Sequence, residues 1–210
     1  RRYAAFSEAV YEGTQKVEDV TCYMADSIED AEKLLSDRKL TMLVDPTGES
    51  INRLKPLAVV DGILAKKNLG TSRNLAPITV ALGPGFEAGV DVDAVVETQR
   101  GHNLGRVLWQ GSAAPNTGIP GMVGGYSKER VIYSSAAGTL RNVCHITDIV
   151  KKGQTIAFIE TQTDEIPVAA TLDGLLRGLL RDGYSVPLGF KIADIDPRIE
   201  EYNNCFTISD

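Results

Sequence analysis

Residues 138–160, shifted by 36 positions, fall on residues 174–196 without a gap. Gly138/Gly174, Leu140/Leu176, Arg141/Arg177, Val150/Val186, Gly153/Gly189, Ile156/Ile192, Ala157/Ala193 and Ile159/Ile195 are identical, and Glu160/Asp196 keeps its charge. Each copy carries a turn before its last strand, Val150-Lys151-Lys152-Gly153 and Val186-Pro187-Leu188-Gly189. A strand-turn-strand unit of this size cannot bury an apolar face alone, so the two copies must interlock around one core.

The stretch Val150–Thr161 is similar to the pattern that leads into the modified hairpin of biotinyl and lipoyl carrier domains. That likeness implies an all-β barrel-sandwich hybrid over residues 127–200. It stops at the hairpin tip, where a lipoyl domain continues Asp-Lys and this chain has Gln162-Thr163. With no lysine there, the ε-amine needed for attachment is missing, and the unit reads as a rigid docking or scaffolding module.

Ahead of the repeat the grammar differs. Val20–Met24, Thr41–Asp45, Leu57–Asp61, Ile78–Leu82, Ala94–Glu97 and Val107–Gln110 are short apolar runs without clean alternation, as expected for strands covered on both faces. Between the first two, Ser27 is a good N-cap, acidic residues fill the first turn, and Ile28, Ala31, Leu34 and Leu35 share one face. Strand, helix, strand predicts an α/β fold with a mainly parallel, partial Rossmann-like sheet over residues 1–126. The Gly/Pro-rich segment from Ala113 to Tyr126 marks the boundary, and residues 201–210 form a C-terminal segment that could return to the α/β part. Arg1-Arg2-Tyr3 and the end just after Cys205–Ile208 read as cut ends, with part of the working protein absent.

Charge and cysteine usage exclude several classes. A net charge of −6 and basic runs no longer than pairs argue against nucleic acid. No apolar run approaches the ~20 residues of a membrane helix, and no signal peptide opens the chain. Cys22, Cys144 and Cys205 are far apart, offer no zinc spacing and read as buried thiols, consistent with a reducing cytoplasm. His145 beside Cys144 is no ligand pair, because strand neighbours face opposite ways.

In open α/β sheets ligands bind beyond the carboxyl ends of the strands. Asp45, Asp61, the Gly83-Pro84-Gly85 turn and Glu97 all fall at such ends. Singly, each reads as a turn residue or helix cap; together they suggest a site. The glycine turn could let backbone N–H groups approach an anion, although it is neither a Walker loop nor a dinucleotide fingerprint. Arg100-Gly101-His102-Asn103-Leu104-Gly105-Arg106 gathers two guanidiniums and an imidazole in one loop. His102 could act as acid or base, and Arg100 and Arg106 could grip a carboxylate or phosphate. The alternative is that the arginines tether the loop to Asp91 and Asp93. Lys66 and Asn68 could contact the same anion, unless Lys66-Lys67 is simply an exposed helix end. Asn116, in the block before the boundary, completes the ligand-binding candidates.

Several blocks taken together resemble one family. They are Phe6–Gly13, Asp61–Thr71, Leu82–Phe86, Val96–Arg106 and Gly111–Gly118, in that order. They resemble the selenium-dependent molybdenum hydroxylase system proteins, also called molybdenum hydroxylase accessory proteins, along essentially the whole chain. The resemblance implies a role in maturation or insertion beside molybdenum hydroxylases, with hydroxylase subunits as partners. It carries over no catalytic residue and names no cofactor. Family members typically begin with a further strand and a Gly-Ala-Gly-Asp-type loop suggestive of nucleotide binding. Three functions stay open: a maturation factor binding a small anionic ligand, an enzyme on a phosphorylated or carboxylated metabolite with His102 as acid/base, or a non-catalytic scaffold.

Overall fold

The computed structural model describes residues 3–208 and is a mixed α/β structure with several sheets. Its elements run α1 (Ala9–Glu12), β1 (Thr14–Val17), β2 (Val20–Ala25), α2 (Ile28–Ser36), β3 (Leu40–Leu43), α3 (Glu49–Leu54), β4 (Ala58–Asp61), β5 (Ile78–Leu82), β6 (Ala94–Val96) and β7 (Val107–Leu108). There follow β8 (Val131–Tyr133), β9 (Gly138–Asn142), β10 (Ile149–Val150), β11 (Thr155–Glu160), β12 (Glu165–Ala169), β13 (Gly174–Leu179), β14 (Ser185–Val186) and β15 (Lys191–Asp196). The chain forms two compact units. One comprises residues up to Ala25, Leu34–Met42 and everything from Ile119; the other comprises Asp26–Lys33 and Leu43–Gly118.

In the first unit the repeat builds two four-stranded sheets, ordered β10-β13-β15-β8 and β12-β11-β9-β14. The copies exchange their short strands. β10 of the first copy pairs with β13 of the second, Ile149 opposite Leu175 and Val150 opposite Gly174. β14 of the second pairs with β9 of the first, Ser185 opposite Thr139 and Val186 opposite Gly138. Moving each first-copy residue forward and each second-copy residue back by 36 turns one register into the other. The correspondence reaches beyond the sequence repeat, because Phe158 opposite Pro167 matches Asp194 opposite Val131. Even the register shift between Thr155 and Ala157 recurs between Lys191 and Ala193.

Leu140, Ile156 and Ile159 from one copy and Leu176, Ile192 and Ile195 from the other share one core, each at most 2% exposed. Burying an aliphatic side chain of this size is worth about 1.5–3 kcal/mol, so these six anchor the unit. Cys205 lies in the same core, and Phe206 stacks on Tyr3 with ring centroids 5.3 Å apart. The segment after residue 200 thus packs with the repeat and with residues near the chain start. Those residues include the β1–β2 hairpin, which forms a three-stranded sheet with β3. The expected strands at Val20–Met24 and Thr41–Asp45 therefore do not join the parallel sheet.

The second unit holds the sheet β4-β5-β6-β7. β4, β5 and β6 run parallel, and β7 is antiparallel. Ala81, Phe86, Ala88, Val92, Val95 and Ala113 form its core. Burial alternates along β4 and β5: Thr79 and Ala81 are buried, whereas Val60 is 59% and Ile78 46% exposed. This differs from the two-sided cover expected of these strands. Cover on the second face is partial, since Ala94, opposite Val80 on that face, is only 2% exposed. At the start of α2, Ser27 Oγ accepts the amide of Asp30 at 3.1 Å, the cap its sequence suggested.

Candidate functional site

The parallel registers Asp61 opposite Ala81 and Leu82 opposite Val96 align the carboxyl ends of β4, β5 and β6. Asp61, the Gly83-Pro84-Gly85 turn and Glu97 consequently share one edge. Asp45 does not, because it follows β3 of another sheet. Its carboxylate accepts the amides of Ser50 at 2.8 Å and Glu49 at 3.1 Å and so caps α3. Hydrogen bonds from Ser50, then from Glu49 and Thr47, hold its pKa down at about 2. Asp45 is a structural cap, not part of the shared edge.

Three loops meet at the glycine turn, and sterics explain why glycine stands there. Gly83 (φ 80°) donates its amide to the Val96 carbonyl at 2.8 Å, and a Cβ there would lie 2.6 Å from Thr98 Oγ1. Gly85 (φ 109°) lies so close to the neighbouring loop that a Cβ would sit 2.6 Å from Lys67 Cα and 2.7 Å from its nitrogen. The turn is thus wedged between the loop that carries Lys66 and Lys67 and the loop that begins at Glu97. Backbone sign favours glycine at both positions, and at Gly85 the neighbouring backbone leaves no room for a Cβ.

The loop after β4 is closed by its own polar groups. Asp61, 7% exposed, accepts the amide of Ile63 at 3.0 Å and the hydroxyl of Thr71 at 2.6 Å. Asn68 Oδ1 accepts the amides of Gly70 and Thr71, each at 2.8 Å, while Nδ2 donates to the Thr71 carbonyl. Asp61 and Asn68, both ligand candidates from sequence, are therefore occupied in shaping this loop. Lys66 and Lys67 are exposed on an irregular segment, not at the end of a helix. Lys66 itself has φ 65°.

Glu97 is likewise committed. Its two carboxylate oxygens accept the amides of Gln99 and Ala114, both at 2.7 Å. Burial pushes its pKa up, and the backbone N–H groups of Ala114, Gln99 and Thr98 outweigh that, leaving it below the usual carboxylate value. Through Ala114, Glu97 ties in the segment that carries Asn116, whose own side chain accepts the Gly118 amide at 3.3 Å.

Arg100, His102 and Arg106 are exposed. Their loop is pinned by backbone bonds, Glu97 donating to the Arg106 carbonyl and Gly105 to the Glu97 carbonyl, each at 2.9 Å. The two acids expected to tether the arginines have other partners. Asp93 is paired with Arg73 at 2.8 Å, and Asp91 accepts the amide of Glu87. Sequence reasoning missed Thr71 and Thr98 as packing partners, since a threonine in a loop gives no sign of which strand end it will meet. Among the described residues, no group of three His, Cys, Asp or Glu side chains could hold a metal ion, and no helix is long and apolar enough to cross a membrane.

No protein-family model matches the chain. It is 50% identical over 196 residues to the Escherichia coli (strain K12) protein named "Uncharacterized protein YqeB", covering 93% of this chain and 36% of that one. The chain therefore spans little more than a third of this relative. Among solved structures, overlaps are partial. The succinylglutamate desuccinylase/aspartoacylase of Rhodobacter sphaeroides overlays 32% of this chain and 22% of its own, at 17% identity and a TM-score of 0.30. The urea carboxylase of Kluyveromyces lactis overlays 42% of this chain and 8% of its own, at 26% identity and a TM-score of 0.31.

Proposed function

We propose that this chain is part of an accessory or maturation factor of a selenium-dependent molybdenum hydroxylase system. In this reading the parallel-sheet unit is Rossmann-like and holds a small anionic ligand or nucleotide at its carboxyl edge. The repeat unit is a barrel-sandwich hybrid that docks on hydroxylase subunits. The ordered sequence blocks that resemble that family support the role, and three of them supply the loops of the edge.

The observation that carries the ligand half is the meeting of three strand-end loops at Gly83–Gly85, with exposed lysines on one side and the Arg100–Arg106 loop on the other. Cations at a strand-end crevice suit a negatively charged ligand. The nearby carboxylates of Asp61 and Glu97 already accept protein hydrogen bonds, which favours binding over acid–base work by that pair.

Isothermal titration with a pterin nucleotide, a nucleotide and selenite tests the ligand half, with saturable binding to at least one that is weakened by Arg106→Ala. No binding to any of them removes it. Co-purification with hydroxylase subunits tests the docking half, and its failure removes the assigned partner.

A further inference from the structure

Of the ten arginines between residues 3 and 208, seven form an ion pair with Asp or Glu, and among the described residues Arg38, Arg100 and Arg106 form none. The chain has 28 carboxylates against 22 lysines and arginines, so an acidic partner is the ordinary fate of a guanidinium here. Two of the three exceptions lie six positions apart in one exposed loop, flanking His102. Lys66 and Lys67, beside the same glycine turn, also form no ion pair among the described residues. The carboxylates at this edge cannot neutralise them, because Asp61 and Glu97 are buried and bonded to amides and a hydroxyl.

The Gly83 amide is taken by the Val96 carbonyl, and Pro84 has no N–H. The cationic charge available to a ligand at this edge comes from the side chains of the flanking loops. We infer that the edge binds a ligand through a phosphate-type group carrying at least two negative charges, a phosphate monoester or a diphosphate, with Arg100 and Arg106 as its principal donors. A single carboxylate has one charge and two acceptor oxygens, too few for two guanidinium forks and two ammoniums. A phosphate dianion offers three strong acceptor oxygens and fits a planar fork in two-pronged fashion. This inference rests on the anion-binding reading above and narrows it to one chemistry.

Titrating the chain at low ionic strength with pyrophosphate, ADP and succinate, followed by calorimetry, tests the class. Pyrophosphate or ADP is expected to bind at least about tenfold more tightly than succinate. Arg100→Gln and Arg106→Gln should each weaken that binding by about tenfold, as expected for loss of a charge-assisted contact. Arg38→Gln, an equally unpaired arginine outside this unit, should leave it unchanged. Arg106→Lys guards against misfolding, since it keeps the charge and loses only the fork; its affinity should fall between wild type and Arg106→Gln. Preference for ADP over pyrophosphate identifies a nucleotide as the source of the phosphate, and equal affinity identifies the phosphate group alone; either supports the inference. Equal binding of succinate and pyrophosphate overturns the phosphate class and leaves an anion site standing. If none of the three binds at millimolar concentration, this inference falls. The broader reading falls only if its own ligands fail as well.

Discussion

Thr147 and Gly183 stand 36 residues apart at equivalent corners of the repeat, and both hold a left-handed backbone, with φ of 88° and 74°. Each donates its amide across to the other copy, Thr147 to the Leu176 carbonyl and Gly183 to the Leu140 carbonyl, so the corner is fixed by the same cross-copy bond. Glycine takes that conformation freely, whereas a β-branched residue is strained in it.

Thr147→Gly is therefore expected to stabilise the protein. Relief of strain is worth about 1–3 kcal/mol, and the added freedom of the unfolded chain costs about 0.5–1 kcal/mol. A net gain of up to about 2 kcal/mol should raise the urea midpoint. A lower midpoint would show that the threonine side chain contributes more than its backbone costs.

The repeat also predicts a matched pair of losses. A Cβ on Gly138 would run into the Glu160 carbonyl, and one on Gly174 into the Asp196 carbonyl. Neither backbone can withdraw without breaking its sheet, so Gly138→Ala and Gly174→Ala should each cost about 1–3 kcal/mol. At Gly153, with nothing within 4 Å of its Cβ position, replacement by Ala should cost only the strain of holding a Cβ-bearing residue at positive φ. Equilibrium unfolding of the three variants separates the two effects.

Arg141 and Arg177 are the same position of the two copies in different surroundings. Arg141 pairs with Glu160 at 2.7 Å, both about 40% exposed, and lies over the Phe158 ring at 4.6 Å. In the second copy Asp194 replaces Phe158, and Arg177 is buried between Asp194 and Asp196. Arg130 and Arg198 complete that network from outside the repeat, at 2.6 and 2.9 Å. Arg177→Ala leaves buried carboxylates short of a partner and should cost about 3–5 kcal/mol. Loss of the exposed Arg141 ion pairs should cost under about 1 kcal/mol. Arg141→Gln removes both pairs and tests this, with only a small change in thermal midpoint expected.

Asp45 gives a pH signature. Its folded pKa of about 2 lies below the usual aspartate value of about 4, so its cap contributes fully above that value. The contribution fades as pH falls from about 4 toward 2. Asp45→Asn should therefore reduce the dependence of the unfolding midpoint on pH across that window and leave its shape near neutrality unchanged. An identical acid limb in both proteins would show that other carboxylates control it.

Much of the strand inventory was legible in the sequence. The runs at Val20–Met24, Ile78–Leu82 and Ala94–Glu97 fall on β2, β5 and β6, and Ser27 caps α2, because apolar runs and caps are local signals. Their partnership was not legible. A run such as Thr41–Asp45 looks alike whether its neighbour is β2 or β4, and only packing chose β2. The same holds at the site, where Asp61, Glu97 and the glycine turn share an edge and Asp45 does not.

The sequence alone determined that two equal copies must share one core, since residues 138–160 recur at an offset of 36 with Gly138/Gly174, Gly153/Gly189 and the aliphatic positions Leu140/Leu176, Ile156/Ile192 and Ile159/Ile195 kept. Tertiary structure decided that the copies exchange β10 and β14, and that the symmetry extends to β8 and β12, where sequence shows no repeat. Pairing is made by backbone groups that every residue carries, so it leaves little trace in side-chain identity. Burial of Arg177 but not Arg141 depends on what lies above each, a property of the assembled chain and not of either residue.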